Sequence, residues 1–102
     1  MSSFSYVWEF IVNPEHLGAF EAAYGQDGEW VKLFGQDPDY IRTDLHRDVR
    51  NQHRFICVDH WKTQQACMSF RERYRKQYDA LDKEFQQYTV DERQLGNFDL
   101  LG

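Results

Sequence analysis

Residues Phe4 to Val12 (FSYVWEFIV) put Phe4, Tyr6, Trp8, Phe10 and Val12 on one face of an extended segment and Ser5, Val7, Glu9 and Ile11 on the other. That pattern predicts a strand buried on at least one face. Asn13-Pro14-Glu15 then supplies an N-cap, a proline at the first helical position and an acid in the first turn. Leu17, Phe20 and Tyr24 follow at helical spacing, and Gly25 closes the helix. A second short helix is expected over Gly28 to Phe34, with Trp30 and Phe34 one turn apart, and Asp37-Pro38-Asp39 ends it with turn chemistry.

Tyr40 to Asp48 and His53 to Trp61 are strand-like runs joined by Val49-Arg50-Asn51-Gln52, which reads as a hairpin loop. A symmetric closure sets Asp48 opposite His53, Arg42 opposite Asp59, Asp44 opposite Cys57 and Tyr40 opposite Trp61; a slip of one residue would turn each side chain to the other face. From Thr63, an N-cap, the stripe Cys67, Phe70, Tyr74, Tyr78, Leu81, Phe85 and Tyr88 predicts one long helix of about six turns. Thr89-Val90-Asp91-Glu92 has the capping-box pattern, so a short helix is expected there, ending at Gly96 before a last strand over Asn97 to Leu101. The order suits an α+β fold of the ferredoxin-like, split βαβ kind: one four-stranded antiparallel sheet with its helices on one face. The uncovered face keeps large apolar side chains, and a second copy packing sheet to sheet would shield them.

At 102 residues the chain is short enough to be a single domain spanning 1–102, since separate cores arise above roughly 250 residues. Aromatic residues make up 17% of it, enough to furnish a pocket or an interface as well as a core. A net charge of −5 works against binding to nucleic acid or to an anionic membrane surface. No run approaches the length of a membrane span, and Met-Ser-Ser-Phe-Ser lacks the basic start of a signal peptide, so a soluble, cytoplasmic protein is expected. Cys57 and Cys67 match no metal-ligand spacing and read as small buried hydrophobes. No His-Xaa-His or His-Glu-Xaa-Xaa-His motif, no Gly-Xaa-Ser-Xaa-Gly elbow and no phosphate-cradling glycine loop occurs. Neither a bound metal nor a cofactor is expected.

Several features together resemble the antibiotic biosynthesis monooxygenase domain family: the aromatic first strand, the Asn-Pro-Glu start, Ala23-Tyr24-Gly25, a Tyr after a Pro-containing turn, and Asp59-His60-Trp61 before a Thr-capped helix. Tyr78-Asp79-Ala80-Leu81-Asp82 and Asp91-Glu92-Arg93-Gln94-Leu95-Gly96 are similar to bacterial members of that family. The resemblance implies a subunit that pairs into a dimeric α+β barrel. It also implies relatives that oxidise aromatic phenols or quinols with dioxygen and neither metal nor flavin, or that degrade haem. The tryptophan closing the third strand, Trp61 here, lines the substrate pocket in those branches. The haem-degrading branch uses a histidine on the following helix and an asparagine on the first strand. Thr63 to Tyr88 holds no His and Phe4 to Val12 no Asn, which disfavours haem cleavage. The phenol-oxidising members also use a pocket asparagine, and Asn13, Asn51 and Asn97 all read as caps or loops.

A cofactor-free oxygenase needs a base near its substrate, donors for the resulting anion and a dry aromatic slot. Trp61, Asp59 and His60 are the candidate catalytic residues, with Asp44 and His46 on the neighbouring strand as further base candidates. Trp30, Phe34, Phe70, Tyr74 and Tyr78 are the candidate substrate-binding residues. Each has a plainer reading: Asp59 as the ion-pair partner of Arg42, His46 and His60 as structural or exposed imidazoles, the Phe70 to Phe85 stripe as a helix covering a sheet. Arg71, Arg73, Arg75 and Lys76 read as a solvated face, with the steering of an anionic ligand as the alternative. Two functions stay open, a homodimeric monooxygenase for a small aromatic or quinol-like molecule and a non-catalytic dimer that binds a ligand or serves as structure. An enclosed cavity with converging polar groups favours the first.

Overall fold

The computed structural model describes residues 3–101. Met1 and Ser2, part of the start read above for a signal peptide, lie outside the described residues, as does Gly102. Strand β1 (Ser3–Val12) leads through a single 3-10 turn (Pro14–His16) to α1 (Leu17–Tyr24) and α2 (Glu29–Phe34). Then come β2 (Tyr40–Arg47), β3 (Arg54–Trp61), α3 (Gln64–Arg73), α4 (Arg75–Phe85), a second 3-10 turn (Gln86–Tyr88) and β4 (Thr89–Leu100). The strands form one antiparallel sheet in the order β2-β3-β1-β4, so the fold is α+β and ferredoxin-like. No helix among the described residues is long and apolar enough to cross a membrane.

The local signals act where they were expected. The Asn13 side chain accepts a hydrogen bond from the Glu15 amide at 3.0 Å and Thr63 accepts one from the Ala66 amide at 3.0 Å, so both helical segments begin on capped backbone. Alternation along β1 sends Phe4, Tyr6, Phe10 and Val12 into the core, where they meet Phe55, Cys57 and Trp61 of β3 and the helical residues Phe20, Tyr24, Trp30, Phe34, Phe70 and Phe85. All of these strand residues lie on the sheet face that the helices cover.

Three expectations are corrected. The long helix is two: Tyr74 takes φ −106° and ψ 27°, outside the helical region, and the axis restarts at Arg75. The backbone ladder nevertheless spans the break, because the Tyr74 amide bonds the Phe70 carbonyl and the Tyr78 amide bonds the Tyr74 carbonyl. The bend lets Cys67 and Phe70 on one axis and Phe85 on the other reach the same core. The short helix expected from Val90 does not form. The whole segment Thr89 to Leu100 extends along β1, whose edge would otherwise leave a row of unpaired amides and carbonyls. The ladder shifts register between Val7 and Trp8, opposite Gly96 and Gln94, and Gly96 sits there at φ 152°. A side chain at this position would be strained by that φ and would press a Cβ to 3.1 Å from the Phe98 ring.

The third correction concerns the hairpin. Tyr40 pairs with Trp61 as expected, but the register then shifts at Ile41, so that Arg42 faces His60, Thr43 faces Asp59 and Asp44 faces Val58. The Arg42–Asp59 pairing is therefore absent. Arg42 instead bonds Asp44 at 3.1 Å on the face away from the helices.

Candidate active site

The extra residue at Ile41 has a chemical consequence. Tyr40 and Thr43 differ by three positions, so a regular strand would point them to opposite faces. The irregularity brings both to the helix-covered face, where the Tyr40 hydroxyl lies 2.7 Å from Thr43 Oγ1. Thr43 Oγ1 in turn donates to Asp59 Oδ1 at 2.6 Å. Because that bond uses the threonine proton, the Tyr40 hydroxyl is the donor to Thr43, and the three groups form a relay ending on the carboxylate. Burial raises the Tyr40 hydroxyl to about 12, which keeps it protonated and able to donate.

Asp59 is buried, and Thr43 is the one side chain that hydrogen-bonds it among the described residues. Loss of water around the carboxylate raises its pKa to about 6, with the Thr43 bond only partly opposing the shift. A carboxyl poised there exchanges protons near neutral pH, as a general base must. It borders two hollows between sheet and helices. The larger, about 50 Å³, is walled by Trp8, Phe10, Tyr24, Trp30, Phe34 and Tyr78, with Thr43, Cys57 and Asp59 on its floor. Asp82 and Glu92, both exposed, place its solvent end between α4 and β4. The smaller, about 10 Å³, adjoins Trp61, Cys67 and Arg71.

One wall group of the larger hollow is left without a partner. Trp30 is 7% exposed, and its indole Nε1 makes no well-aligned hydrogen bond, although it lies close enough to the Tyr24 hydroxyl to oppose part of the rise that burial causes there. A buried donor left unpaired costs about 1–3 kcal/mol, so the site carries a standing preference for an acceptor beside Trp30. Burial also raises the hydroxyls of Tyr24 and Tyr78, which remain neutral donors. The hollow thus combines a carboxylate that can exchange a proton near neutral pH, neutral N–H and O–H donors and an aromatic lining.

The predicted residues do not all meet there. Asp59, Trp30, Phe34 and Tyr78 line the larger hollow. Trp61 touches only the smaller one; it is 1% exposed and packs edge-on against Phe34 and Tyr40 and tilted against Phe70. Phe70 and Tyr74 line neither hollow and stack on each other with ring centroids 4.7 Å apart. His60 points to the opposite sheet face, where its Nδ1 lies 3.2 Å from Ser5 Oγ and its Nε2 3.0 Å from Asp44 Oδ2. His46 borders neither hollow. Thr43, Tyr40 and Tyr24 were missed: the register shift hides the first two from any periodicity count, and Tyr24 reads as an ordinary helix-core residue. Among the described residues no cluster of His, Cys, Asp and Glu is suited to hold a metal ion.

The model of the antibiotic biosynthesis monooxygenase family matches residues 4–90. The chain belongs to that family. Among curated proteins none matches the sequence. A candidate antibiotic biosynthesis monooxygenase from Bordetella bronchiseptica shares the fold at a TM-score of 0.80 and 18% identity, with 100% of each chain covered. SnoaB, a cofactor-independent oxygenase from Streptomyces nogalater, superposes at a TM-score of 0.74 and 13% identity over 100% of this chain and 96% of its own. A second candidate antibiotic biosynthesis monooxygenase, from Nitrosomonas europaea, gives 0.69 and 14% over 98% and 89%. At such identities these likenesses establish the fold. The register shift at Ile41, the relay to Asp59 and the Trp30 donor all lie within the matched residues.

Proposed function

We propose that this member of the family is a cofactor-independent monooxygenase acting on a small aromatic or quinol-like substrate in the hollow lined by Asp59. One observation carries the reading: a buried carboxylate with a single hydrogen bond, raised to about 6, facing an aromatic hollow that also holds an unpartnered Trp30 N–H. Dioxygen accepts an electron readily only from an electron-rich anion. Asp59 would take the proton from a phenol or an activated ring CH₂, and Trp30, Tyr24 and Tyr78 would stabilise the anion by donation. Transfer of one electron to dioxygen and recombination give a peroxide at the carbon that carries the anion's charge, the deprotonated CH₂ or an ortho or para C–H carbon of the phenolate ring. Asp59 returns its proton to the distal oxygen, the remaining C–H proton and the O–O bond are lost as water, and a carbonyl remains. The balance is R₂CH₂ + O₂ giving R₂C=O + H₂O, with all four electrons drawn from the substrate.

The hollow is smaller than the roughly 150 Å³ cavity that accepts benzene, so a ring enters only if the wall formed by Trp30 and Phe34 of α2 gives way. That tightness favours a second reading, a non-catalytic dimer of the same fold. A homodimer belongs to both readings: Val7, Ile56 and Val58 leave an apolar band on the helix-free face, and Leu95, Phe98 and Leu100 of edge strand β4 are exposed. The deciding experiment is oxygen uptake by metal-free protein offered anthrone-like and hydroquinone substrates, with the particle mass measured by light scattering in the same buffer. Uptake with one oxygen atom recovered in product, from a particle about twice 12.3 kDa, is expected. No uptake with any of them, at a protein concentration where the substrates bind, would leave the non-catalytic reading.

A further inference from the structure

The four cations Arg71, Arg73, Arg75 and Lys76 look alike in sequence, but the fold singles out Arg71. Its neighbours in that run are exposed, whereas Arg71 is half-buried and sandwiched between two rings, with its guanidinium carbon 5.3 Å from the Tyr6 centroid and 4.8 Å from that of Tyr78. It donates through Nη1 to the Tyr6 hydroxyl at 2.7 Å, one of its five donors. Among the described residues no carboxylate lies within ion-pair distance of it, although Arg42, Arg47, Arg54, Arg73 and Arg93 each have one. A guanidinium held in place, partly desolvated and lacking a counter-charge is pre-organised for a planar anion.

Its position is equally informative. Arg71 borders the small hollow that also touches Asp59, and it floors an outer groove of about 360 Å³ with Met68, Tyr78 and Arg75. Glu72 and Asp79 also border that groove, yet neither pairs with Arg71 or Arg75. Among the described residues Arg71 is the one cation that borders either hollow at Asp59. The end marked by Asp82 and Glu92 carries acids alone, while the groove sets Arg71 and Arg75 beside Glu72 and Asp79, with Arg71 the one partly buried charge of the four, and offers Tyr78 and the exposed Met68 as an apolar surface for a ring.

We propose that the groove over Arg71 recognises an aromatic carboxylate, its acid on the guanidinium and its ring directed toward the hollow that Asp59 lines. This rests on the reading of that hollow as the substrate site and narrows the substrate class to anionic aromatics. The test compares 3-hydroxybenzoate with its neutral isostere 3-hydroxybenzamide by calorimetric titration at low salt. The carboxylate should bind at least about tenfold more tightly than the amide, and added salt should erode that margin. Arg71→Gln should bring the two affinities within about twofold. Arg71→Lys, which keeps the charge and loses the fork, should retain only part of the preference and serves if the glutamine variant fails to fold. Arg73→Gln removes a nearby exposed charge and should leave the preference intact. If the amide binds and the carboxylate binds no better, or if Arg71→Gln and Arg71→Lys both keep the full margin, the assignment of Arg71 is wrong while the hollow remains a binding site. If neither compound binds, the carboxylate assignment falls, and oxygen uptake with the neutral anthrone-like and hydroquinone substrates decides the hollow.

Discussion

The two faces of this sheet handle their buried polar groups in opposite ways. On the helix-free face Glu9 is held by two arginines, Arg54 at 2.6 Å and Arg93 at 2.8 Å, and the Arg54 bond leads in keeping its carboxyl below the usual range. His60 on that face is engaged at both ring nitrogens by Ser5 and Asp44, and Arg42 completes the chain. On the helix-covered face Asp59 has one partner and Trp30 Nε1 has none. Ser5, His60 and Asp44 even reproduce the residue types of a hydrolytic triad. Ser5, however, lies within β1 between β3 and β4, where ladder pairing occupies the backbone amides that an oxyanion hole would need. Satisfied polar groups lock a structure; unsatisfied ones in a hollow are available to a ligand.

The largest effect is expected at Asp59. Asp59→Asn should lower turnover by about 10²- to 10⁴-fold, the usual range for loss of a general base. In the parent, turnover should rise with pH as the carboxyl ionises near 6. The same variant should gain stability. A carboxyl raised from about 4 in the unfolded chain to about 6 in the native state favours the protonated form on folding. Its stabilisation is complete below about pH 4 and lost as pH climbs through 6, leaving a penalty on the order of 2–3 kcal/mol at pH 8. Asparagine does not titrate and still accepts from Thr43. Urea unfolding should show Asp59→Asn more stable than the parent at pH 8, with the gap closing by pH 4. A loss of stability equal at both pH values would instead make Asp59 a structural acceptor.

Trp61 lies on the same face as Asp59 but is sealed, and its variant should behave oppositely. Trp61→Ala should cost about 3–5 kcal/mol in denaturant unfolding, as for other large core aromatics, because Phe34, Tyr40 and Phe70 all lose a packing partner. A cost below about 1 kcal/mol would show that the indole faces open space and return it to the pocket.

Most of the scaffold was legible because its signals are local. The alternation of β1, the Asn13 and Thr63 caps, and the spacing of Phe20, Tyr24, Trp30 and Phe34 are each set by a few neighbouring residues, and each element formed. The failures share a different origin. The break at Tyr74 has no proline or glycine to announce it, and it serves two stripes that must meet one core. The helical pattern of Thr89 to Gly96 yields to an edge that needs a partner strand, a tertiary demand exceeding local propensity. The site failed most at Ile41, where one additional residue reversed the facing of β2 and replaced the expected Arg42 with Thr43. An ion pair there would have held Asp59 ionised and inert; the hydroxyl leaves it near neutrality.

The smallest effect should come from the residue next to the proposed base. His60 is adjacent to Asp59 in sequence, and the pleat sends it to the far face. His60→Gln shortens the reach and keeps only one of the two bonds to Ser5 and Asp44, so about 1–2 kcal/mol of stability should be lost with the unpaired group. Turnover should stay within about twofold, since nothing in the hollow changes. Paired with Asp59→Asn, the two variants make a sign test on consecutive residues: one more stable and inactive, the other less stable and active. If His60→Gln abolished turnover while its unfolding curve matched the parent, chemistry would have to be moved to the face that now looks purely structural.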